Sequence, residues 1–516
     1  MRLGLYDRFR PGRAPGLPPG TTGPSVAIIG AGFSGIGLAI RLLQAGVTDL
    51  TIYDKAPGLG GTWRDNTYPG AAGDVPSHLY SLSFATKHDW SRKWAEQPEI
   101  LQYMTELADR FGLWPYFRFG CEIVSASWSG SEWELTAADG SWATADVLVA
   151  ATGQLNRPHI PDIPGLPSFE GDVFHSARWD HSVPLAGRDV AVIGIGASAI
   201  QFVPPVAASG VRTLSLFQRS VNYVGPKDDR PFRPWEQWIF ANVPGLDRLY
   251  RWSIYLRFES RFSVFRKGSL LGRKGTEAFQ KGLRSDVAAK GLPEDVVVPD
   301  YPIGCRRILI SNDWYPTLFR PEVSVVSAPI TEIGEAAVIT AGGRAHPADV
   351  IIFGTGFEAT GFLAPMEVSG VDGAKLADVW ADGAAAYLGM TVAGFPNFFL
   401  LYGPNTNLGH NSILVMVERQ IEYVIRCVRE LAVRRAGSLD VGAGPFERDV
   451  ASVQERVKST VWAESCSSWY KTASGKVTQN WPSWTIAYWR ATVRPRFEDY
   501  TFRGRVPAPD HDPARS

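Results

Sequence analysis

The chain is poor in cysteine. It has four in 516 residues, Cys121, Cys305, Cys427 and Cys466, and no two form a CxxC pair. That spacing argues against a redox dithiol and against a plain NADPH–disulfide reductase. Scattered single thiols fit a reducing, cytoplasmic setting. No apolar run is long enough to span a bilayer, so no membrane span is expected. The opening residues MRLGLYDRFRPGRAPGLPPGTTGP lack the apolar stretch of a signal peptide and read as a mobile arm, draped over the first domain. The tail VPAPDHDPARS reads as loose. Net charge is missing too: Lys+Arg and Asp+Glu are both 52, so no global field favours nucleic acid or an anionic membrane. No metal site is expected, and the oligomeric state leaves no trace in the sequence.

What the chain has in abundance is aromatic. There are 18 Trp, and aromatics make up 12% of residues, which suits either large cores or a site that holds flat rings. The length exceeds what one core supports, so two or three domains are expected.

Residues 25–29 (SVAII) read as a short buried strand. GAGFSG follows, supplying Gly30, Gly32, Phe33, Ser34 and Gly35, then the helical stretch IGLAIRLLQAG and a second strand, LTIYD. The first Gly permits a tight turn, the second lets backbone approach a pyrophosphate, and the third lets helix and strand pack closely. The helix N-terminus attracts phosphate. Asp54, 24 positions after Gly30, can accept hydrogen bonds from a ribose diol, with Lys55 beside it. The pattern recurs. RDVAVIG leads into GIGASA, with Gly194, Gly196, Ala197, Ser198 and Ala199, and then a helix that Pro204-Pro205 is expected to kink or end. Its second strand closes on Arg219 and Ser220 instead of an acid. An acid there would repel a 2′-phosphate, whereas Arg binds one. The first unit therefore suits FAD and the second NADPH. DVLVAATG (146–153) and DVIIFGTGF (349–357) each return the chain to its sheet through a Thr-Gly turn.

After Asp54 come Gly60, Gly61, Thr62, Trp63, Tyr68 and Tyr80; the glycines allow close approach to a cofactor and the rings can wall a flavin. Asp74 follows GAAG, a stretch of little bulk. It either caps a turn or lies near a ring system. Arg306 and Arg307 precede a strand-like run, so one can bind phosphate while the other faces a reaction site; both can also be exposed strand-edge residues. The helical stretches WEQWIFANV and LYRWSIYLRF carry apolar stripes, read as buried against the main body in preference to a membrane surface. In YGPNTNLGHNS, Gly, Asn and a helix N-terminus can touch a flavin ring. Trp469 and Tyr470 are either lid or core residues.

Two longer patterns resemble the type I Baeyer–Villiger monooxygenases, a class of flavoprotein monooxygenases. The fingerprint FxGxxxHxxxW followed by Pro or Asp is met by Phe169, Gly171, His175, Trp179 and Asp180. The pattern GxWxxxx(F/Y)P(G/M)xxxD is met by Gly61, Trp63, Tyr68, Pro69, Gly70 and Asp74. The resemblance runs from about Val26 to the vicinity of Arg490. It implies an α/β fold with two Rossmann-like domains and a helical insertion in the NADP domain. It divides the chain into 1–153 (FAD), 154–224 (NADP), 225–300 (insertion), 301–357 (NADP) and 358–516 (FAD). It also implies that NADPH reduces FAD, that O2 adds to give a C4a-peroxyflavin, and that a ketone becomes an ester or lactone. Arg307 matches the family's catalytic Arg and Asp74 the acid that orients it. Arg306 stands where Lys is frequent at a nucleotide phosphate, and His175 and Trp179 stand at the junction of the domains. A flavin-containing monooxygenase that oxidises sulfide sulfur or amine nitrogen, and a flavin-binding redox sensor without turnover, are the alternatives. The first typically has Tyr or Phe where Trp179-Asp180 stand here.

Overall fold

The computed structural model describes residues 14–290, 293–464 and 468–504, with side chains omitted for 286–290. Most of the expected N-terminal arm, the tail from 505 and Cys466 lie outside the described residues. The described part of the arm does lie along the first domain: Leu17 N donates to the Ala45 carbonyl at 2.7 Å.

The chain starts one parallel sheet, leaves it to build a second, and returns. It lays down β1 (Val26–Ile29), β2 (Leu50–Asp54), β3 (Phe117–Phe119) and β4 (Val147–Ala150). It then builds β5 (Asp172–His175), β6 (Asp189–Ile193), β7 (Thr213–Phe217), β8 (Val323–Val326) and β9 (Val350–Phe353). It comes back as β10 (Phe398–Leu400). The first sheet has the order β10-β4-β1-β2-β3 and the second β8-β7-β6-β9-β5. VAII, VLVA, DVAVI and VIIF are buried at every position. Continuous apolar runs of this kind are what a parallel sheet covered on both faces needs. Each unit closes the same way. A Cβ on Gly30 would come within 2.5 Å of the Ala151 carbonyl, and one on Gly194 within 2.6 Å of the Gly354 carbonyl. Both glycines have positive φ, so the strand-to-helix turn requires Gly in each copy.

Helix α1 (Phe33–Ala45) follows β1 and stops at Gly46, whose left-handed backbone (φ 91°) donates to the Leu42 and Leu43 carbonyls. Its counterpart α2 (Ala199–Ala208) follows β6. The proline pair does not end α2, which runs through both. Proline's fixed φ is already helical, and Phe202, Val203, Val206 and Ala207 are buried in the core of the second unit. Two lost N–H bonds are outweighed by that burial.

Between β7 and β8 lies the helical insertion: α3 (Pro234–Asn242), α4 (Leu246–Ser260) and α5 (Leu270–Lys290). One stripe packs inward. Phe232, Phe240 and Tyr250 surround the buried His78, with ring centroids 4.6–5.1 Å from its imidazole, and Ile254 and Phe258 join Trp94 and Leu79. A second stripe corrects the expectation of burial. Trp235, Trp238, Leu249, Trp252 and Leu256 are exposed. Both helices are apolar on two sides, and only one side can face the body. In the C-terminal part, α6 (Ile413–Arg434) packs along α1 through a fully buried ion pair, Arg41–Glu422 at 2.7 Å, and α7 (Thr485–Thr492) follows. Among the described residues no helix is long and apolar enough to cross a membrane.

Candidate active site between the two dinucleotide units

At the first unit the residues leave room for phosphate. A Cβ on Gly32 would meet nothing within 4 Å, so the N-terminus of α1 opens onto free space. No acid stands in its first turn, as an anion requires. At the second unit a Cβ on Gly196 would find only the Gly354 carbonyl, at 3.7 Å, and α2 also lacks an acid in its first turn. Gly35 is different: its absent Cβ would clash with the Gly30 carbonyl. Ala199, fully buried, fills the equivalent place. Phe33 is buried, Ser34 and Ser198 are half-buried, and Ala197 is exposed. These positions fit the pyrophosphates of FAD and NADPH.

Asp54 accepts from Ala31 N at 2.8 Å and Ala56 N at 2.9 Å. Arg64 stands 3.6 Å from the same carboxylate, a neighbour the sequence did not suggest. A carboxylate has about four acceptor directions, so two backbone bonds leave capacity for a ribose. Lys55 points to the surface, 3.7 Å from Glu122. Gly61 caps a short helix, Thr62–Asp65. From it Trp63 Nε1 donates to the Tyr80 hydroxyl at 3.2 Å, and Phe33 meets the Tyr80 ring edge-on at 5.4 Å.

The segment from Tyr68 to Asp74 joins the units. Gln201, on α2, was missed in the sequence; its one signal was an amide inside the apolar run AIQFVPPVA. Its Oε1 accepts from the Tyr68 hydroxyl at 2.9 Å, and its Nε2 donates to the Ala72 carbonyl at 2.9 Å. Gly70, with φ +81°, backs onto the Gln201 carbonyl, where a Cβ would come within 2.6 Å. Pro205 cannot donate to that carbonyl, so the proline pair shapes the face that Gly70 meets. At the end of this segment Asp74 receives a hydrogen bond from Arg307 Nη2.

Asp74 and Arg307 are brought together from 233 positions apart. Their side chains keep 37% and 32% of their surface. Four tyrosines lie close enough to sense both charges: Tyr68, Tyr80, Tyr402 and Tyr470. Burial raises the pKa of all four hydroxyls, to about 12 for Tyr68, Tyr80 and Tyr470. Asp74 holds Arg307 still further above its ordinary value, so the guanidinium is permanently charged. Tyr402 has a left-handed backbone (φ 60°), which a bulky side chain rarely adopts. Its hydroxyl donates to Asn407 at 2.7 Å. Tyr470 is core rather than lid, buried with Phe262, Phe265 and Trp462, while Trp469 is half-buried beside it.

Arg306 diverges from Arg307. Its guanidinium lies 4.7 Å over the Tyr301 ring and donates to Ser220 Oγ. Ser220 follows the exposed Arg219, just past the end of β7. As expected, the pair precedes a strand, here only Leu309–Ile310, with Arg306 in a bend and Arg307 in irregular chain. Cys305, just before them, is disulfide-bonded, which corrects the reading of four scattered thiols. Spacing detects only cysteines close in sequence. Cys121 and Cys427 are free.

The fingerprint forms β5, the edge strand beside β9. Gly171 is required because a Cβ would meet the Asp349 carbonyl at 2.3 Å. Phe169 packs on the second sheet, and Trp179 on Phe202 at 5.3 Å. His175 Nδ1 accepts from Ala177 N at 3.0 Å, and burial lowers its pKa to about 4, so the ring is neutral. Asp180 accepts from Ser182 N and Oγ in an exposed turn. Past it, His181 meets Thr67 Oγ1 at 2.9 Å, and Arg178 lies 3.8 Å from Asp65. The fingerprint thus ends against the segment that carries Asp74. Among the described residues no cluster of His, Cys, Asp or Glu could hold a metal ion.

Residues 23–212 match the family model for flavin-binding monooxygenase-like proteins. A Baeyer–Villiger monooxygenase of Streptomyces coelicolor is 41% identical over 495 residues, 94% of this chain and 93% of the relative. One of Pseudomonas aeruginosa is 40% identical, covering 91% of this chain and 89% of the relative. A structure of oxidised steroid monooxygenase bound to NADP superposes with a TM-score of 0.82 at 29% identity, over 93% of this chain and all of that one. Closed cyclohexanone monooxygenase gives 0.80 at 27%, over 94% and all of its chain. With two dinucleotide cradles, an ion pair joining the two units and relatives matching over nine-tenths of its length, this chain belongs to the Baeyer–Villiger monooxygenase family of flavin-dependent oxygenases.

Proposed function

We propose that Arg307 and Asp74 form the reaction centre of an enzyme that uses FAD, NADPH and O2 to convert a ketone to an ester or lactone. The observation that carries this reading is the Arg307–Asp74 pair, set where the two units meet and flanked by four tyrosines, of which Tyr68 and Tyr470 are buried and Tyr80 and Tyr402 half-buried. We place FAD at Gly30, Gly32 and Asp54, and NADPH at Gly194, Gly196 and Arg219. Residues 1–153 and 358–516 then serve FAD, 154–224 and 301–357 serve NADP, and 225–300 is inserted. FAD, reduced by NADPH, supplies the activation of O2 to a nucleophilic oxygen. The chain's own contribution is electrostatic. Addition to a carbonyl puts negative charge on its oxygen, and a cation fixed in place beforehand stabilises it without reorganising. Arg307 is such a cation, and Asp74 fixes its orientation. The tyrosines displace part of the water around the pair, which strengthens that attraction. Arg306, Arg219 and Ser220 suit a 2′-phosphate, which keeps the nucleotide in place. Trp469 and Tyr470 border the ketone's side.

We also propose that the enzyme works in the cytoplasm. The test is product analysis with the purified holoenzyme: NADPH, oxygen and a panel of linear, cyclic and aromatic ketones, with a sulfide alongside. Ester or lactone formation in step with NADPH consumption supports the proposal. Sulfoxide alone would move the activity to heteroatom oxidation. NADPH consumption that yields only hydrogen peroxide would refute an oxygenase role for this centre.

A further inference from the structure

The part of the insertion that holds α3 and α4 concentrates positive charge, although over 225–300 fourteen Arg or Lys meet ten acids. Between residues 230 and 275 ten Arg or Lys stand against three acids, an excess of seven in a protein of zero formal charge. All three acids are engaged. Glu236 pairs with Arg230 at 2.6 Å. Asp247 is buried 3.6 Å from His88. Glu259 is buried and accepts from Asn411 and Thr485 at 2.8 and 2.7 Å. Arg233, Arg257, Arg261, Arg273 and Lys274 are exposed, with no exposed acid from 230 to 275. The nearby acids Asp89 and Asp228 each face a lysine, Lys87 at 2.9 Å and Lys93 at 3.2 Å.

The same segment carries the exposed apolar stripes. Trp235 and Trp238 lie on one face of α3; Leu249, Trp252 and Leu256 lie on one face of α4. All five keep 57–65% of their surface. The spacings i, i+3 and i, i+3, i+7 put each set on a single helical side. Each set points away from Phe240 on α3, and from Tyr250 and Ile254 on α4, which face the body. Leu270 and Leu271, at the start of α5, are equally exposed. Trp and Leu on one side of short helices, rimmed by Arg and Lys, is the composition of a segment that lies in the bilayer interface. Trp favours the headgroup level, where its ring is apolar and its N–H is wet.

We propose that the α3–α4 face of the insertion docks the enzyme reversibly on an anionic lipid bilayer, lying in the interface without crossing it. Charge decides between this and a second copy of the chain. A two-fold contact through this face would set two patches of excess positive charge against each other. An anionic leaflet, as on the cytoplasmic side of a membrane, complements it. The placement also bears on catalysis. Phe262 and Phe265, just after α4, pack on Tyr470 and Trp462, and Glu259 of α4 ties to α7 through Thr485. The docked face is therefore one helix away from the side proposed for the ketone, and an apolar ketone dissolved in the bilayer would enter there.

The test is cosedimentation of the full-length holoenzyme with vesicles of phosphatidylcholine alone, and of phosphatidylcholine with about one-third phosphatidylglycerol. The wild type is expected to pellet with the anionic vesicles, to be released by high salt, and to show tryptophan quenching by bromine-labelled acyl chains. Trp235→Ser combined with Trp252→Ser should lower the bound fraction about ten-fold. Because both positions are exposed, turnover of a water-soluble ketone in buffer should not change. Arg233→Gln with Arg257→Gln should weaken binding and flatten its salt dependence. Wild type that stays in the supernatant with anionic vesicles would overturn the proposal. So would pelleting that the tryptophan variant leaves unaltered. A wild-type dimer by light scattering that the tryptophan variant turns into a monomer would assign the face to a second copy instead. None of these outcomes depends on which reaction the site performs.

Discussion

Individual side chains carry most of the chemistry proposed here, and two can be tested directly. Arg307→Ala removes the cation but not the glycine cradles. It should bind FAD as the wild type does and lose oxygenation by roughly 10²–10³-fold, the usual effect of removing a preorganised oxyanion donor. Ester formation near the wild-type rate would end its assigned role. Arg219→Ala should raise the KM for NADPH about ten-fold, the worth of one charged hydrogen bond, and leave NADH use unchanged. Equal effects on both nucleotides would remove the 2′-phosphate reading. Asp74 stood out because it closes a motif, and Arg307 because it is one of two adjacent Arg before a strand-like run. Their pairing was not visible, since 233 residues separate them. Gln201 and Tyr402 were illegible for another reason. Each acts through one tertiary contact made by an ordinary residue type, and nothing local marks it.

Among the elements, the glycine turns and apolar strands were plain in the sequence, because backbone sterics and burial on both faces act locally. A helix end at the proline pair and full burial of the insertion's stripes did not come about, because tertiary packing decided both. α2 keeps its helix through Pro204-Pro205, and α3 and α4 each have two apolar sides. The inward side has a measurable consequence at His78, whose ring sits among Phe232, Phe240 and Tyr250. Burial, with Arg251 and His88 adding repulsion, lowers its pKa from 6.5 to about 3. The unfolded chain therefore binds the proton near pH 6.5 and the folded one only near pH 3. Stability falls as pH drops through that window. From pH 7 to pH 5 this one group should cost about 2 kcal/mol. His78→Leu, similar in volume and without a charge to bury, should lose about that much less over the same interval. Urea denaturation of both proteins at the two pH values measures the difference. Parallel losses would clear His78 as the cause.

For the whole molecule, the question is how two copies of one nucleotide-binding plan act as a single catalyst. The copies share their closing turns, Gly30 against Ala151 and Gly194 against Gly354. Neither copy alone holds both Asp74 and Arg307. The segment from Asp65 to Asp74 supplies the joint. It meets the fingerprint through Thr67 and Asp65, grips α2 through Tyr68, Gly70 and Ala72, and ends on Arg307. Gly70→Ala tests the joint at its tightest point. The new Cβ would lie 2.6 Å from the Gln201 carbonyl on a backbone with φ +81°. Strain of this kind is worth about 1–3 kcal/mol. The segment must shift off α2, and Asp74 shifts with it. Gly32 and Gly196 are untouched, so both nucleotides should still bind and NADPH should still be consumed. What should fall is the ester made per NADPH, with hydrogen peroxide making up the difference. Measuring both products against NADPH separates the two explanations. A lower melting temperature with an unchanged ratio would mean that the segment only holds the units together. A lower ratio would mean that the contact with α2 sets where Asp74 holds Arg307, and so couples one unit's chemistry to the other's.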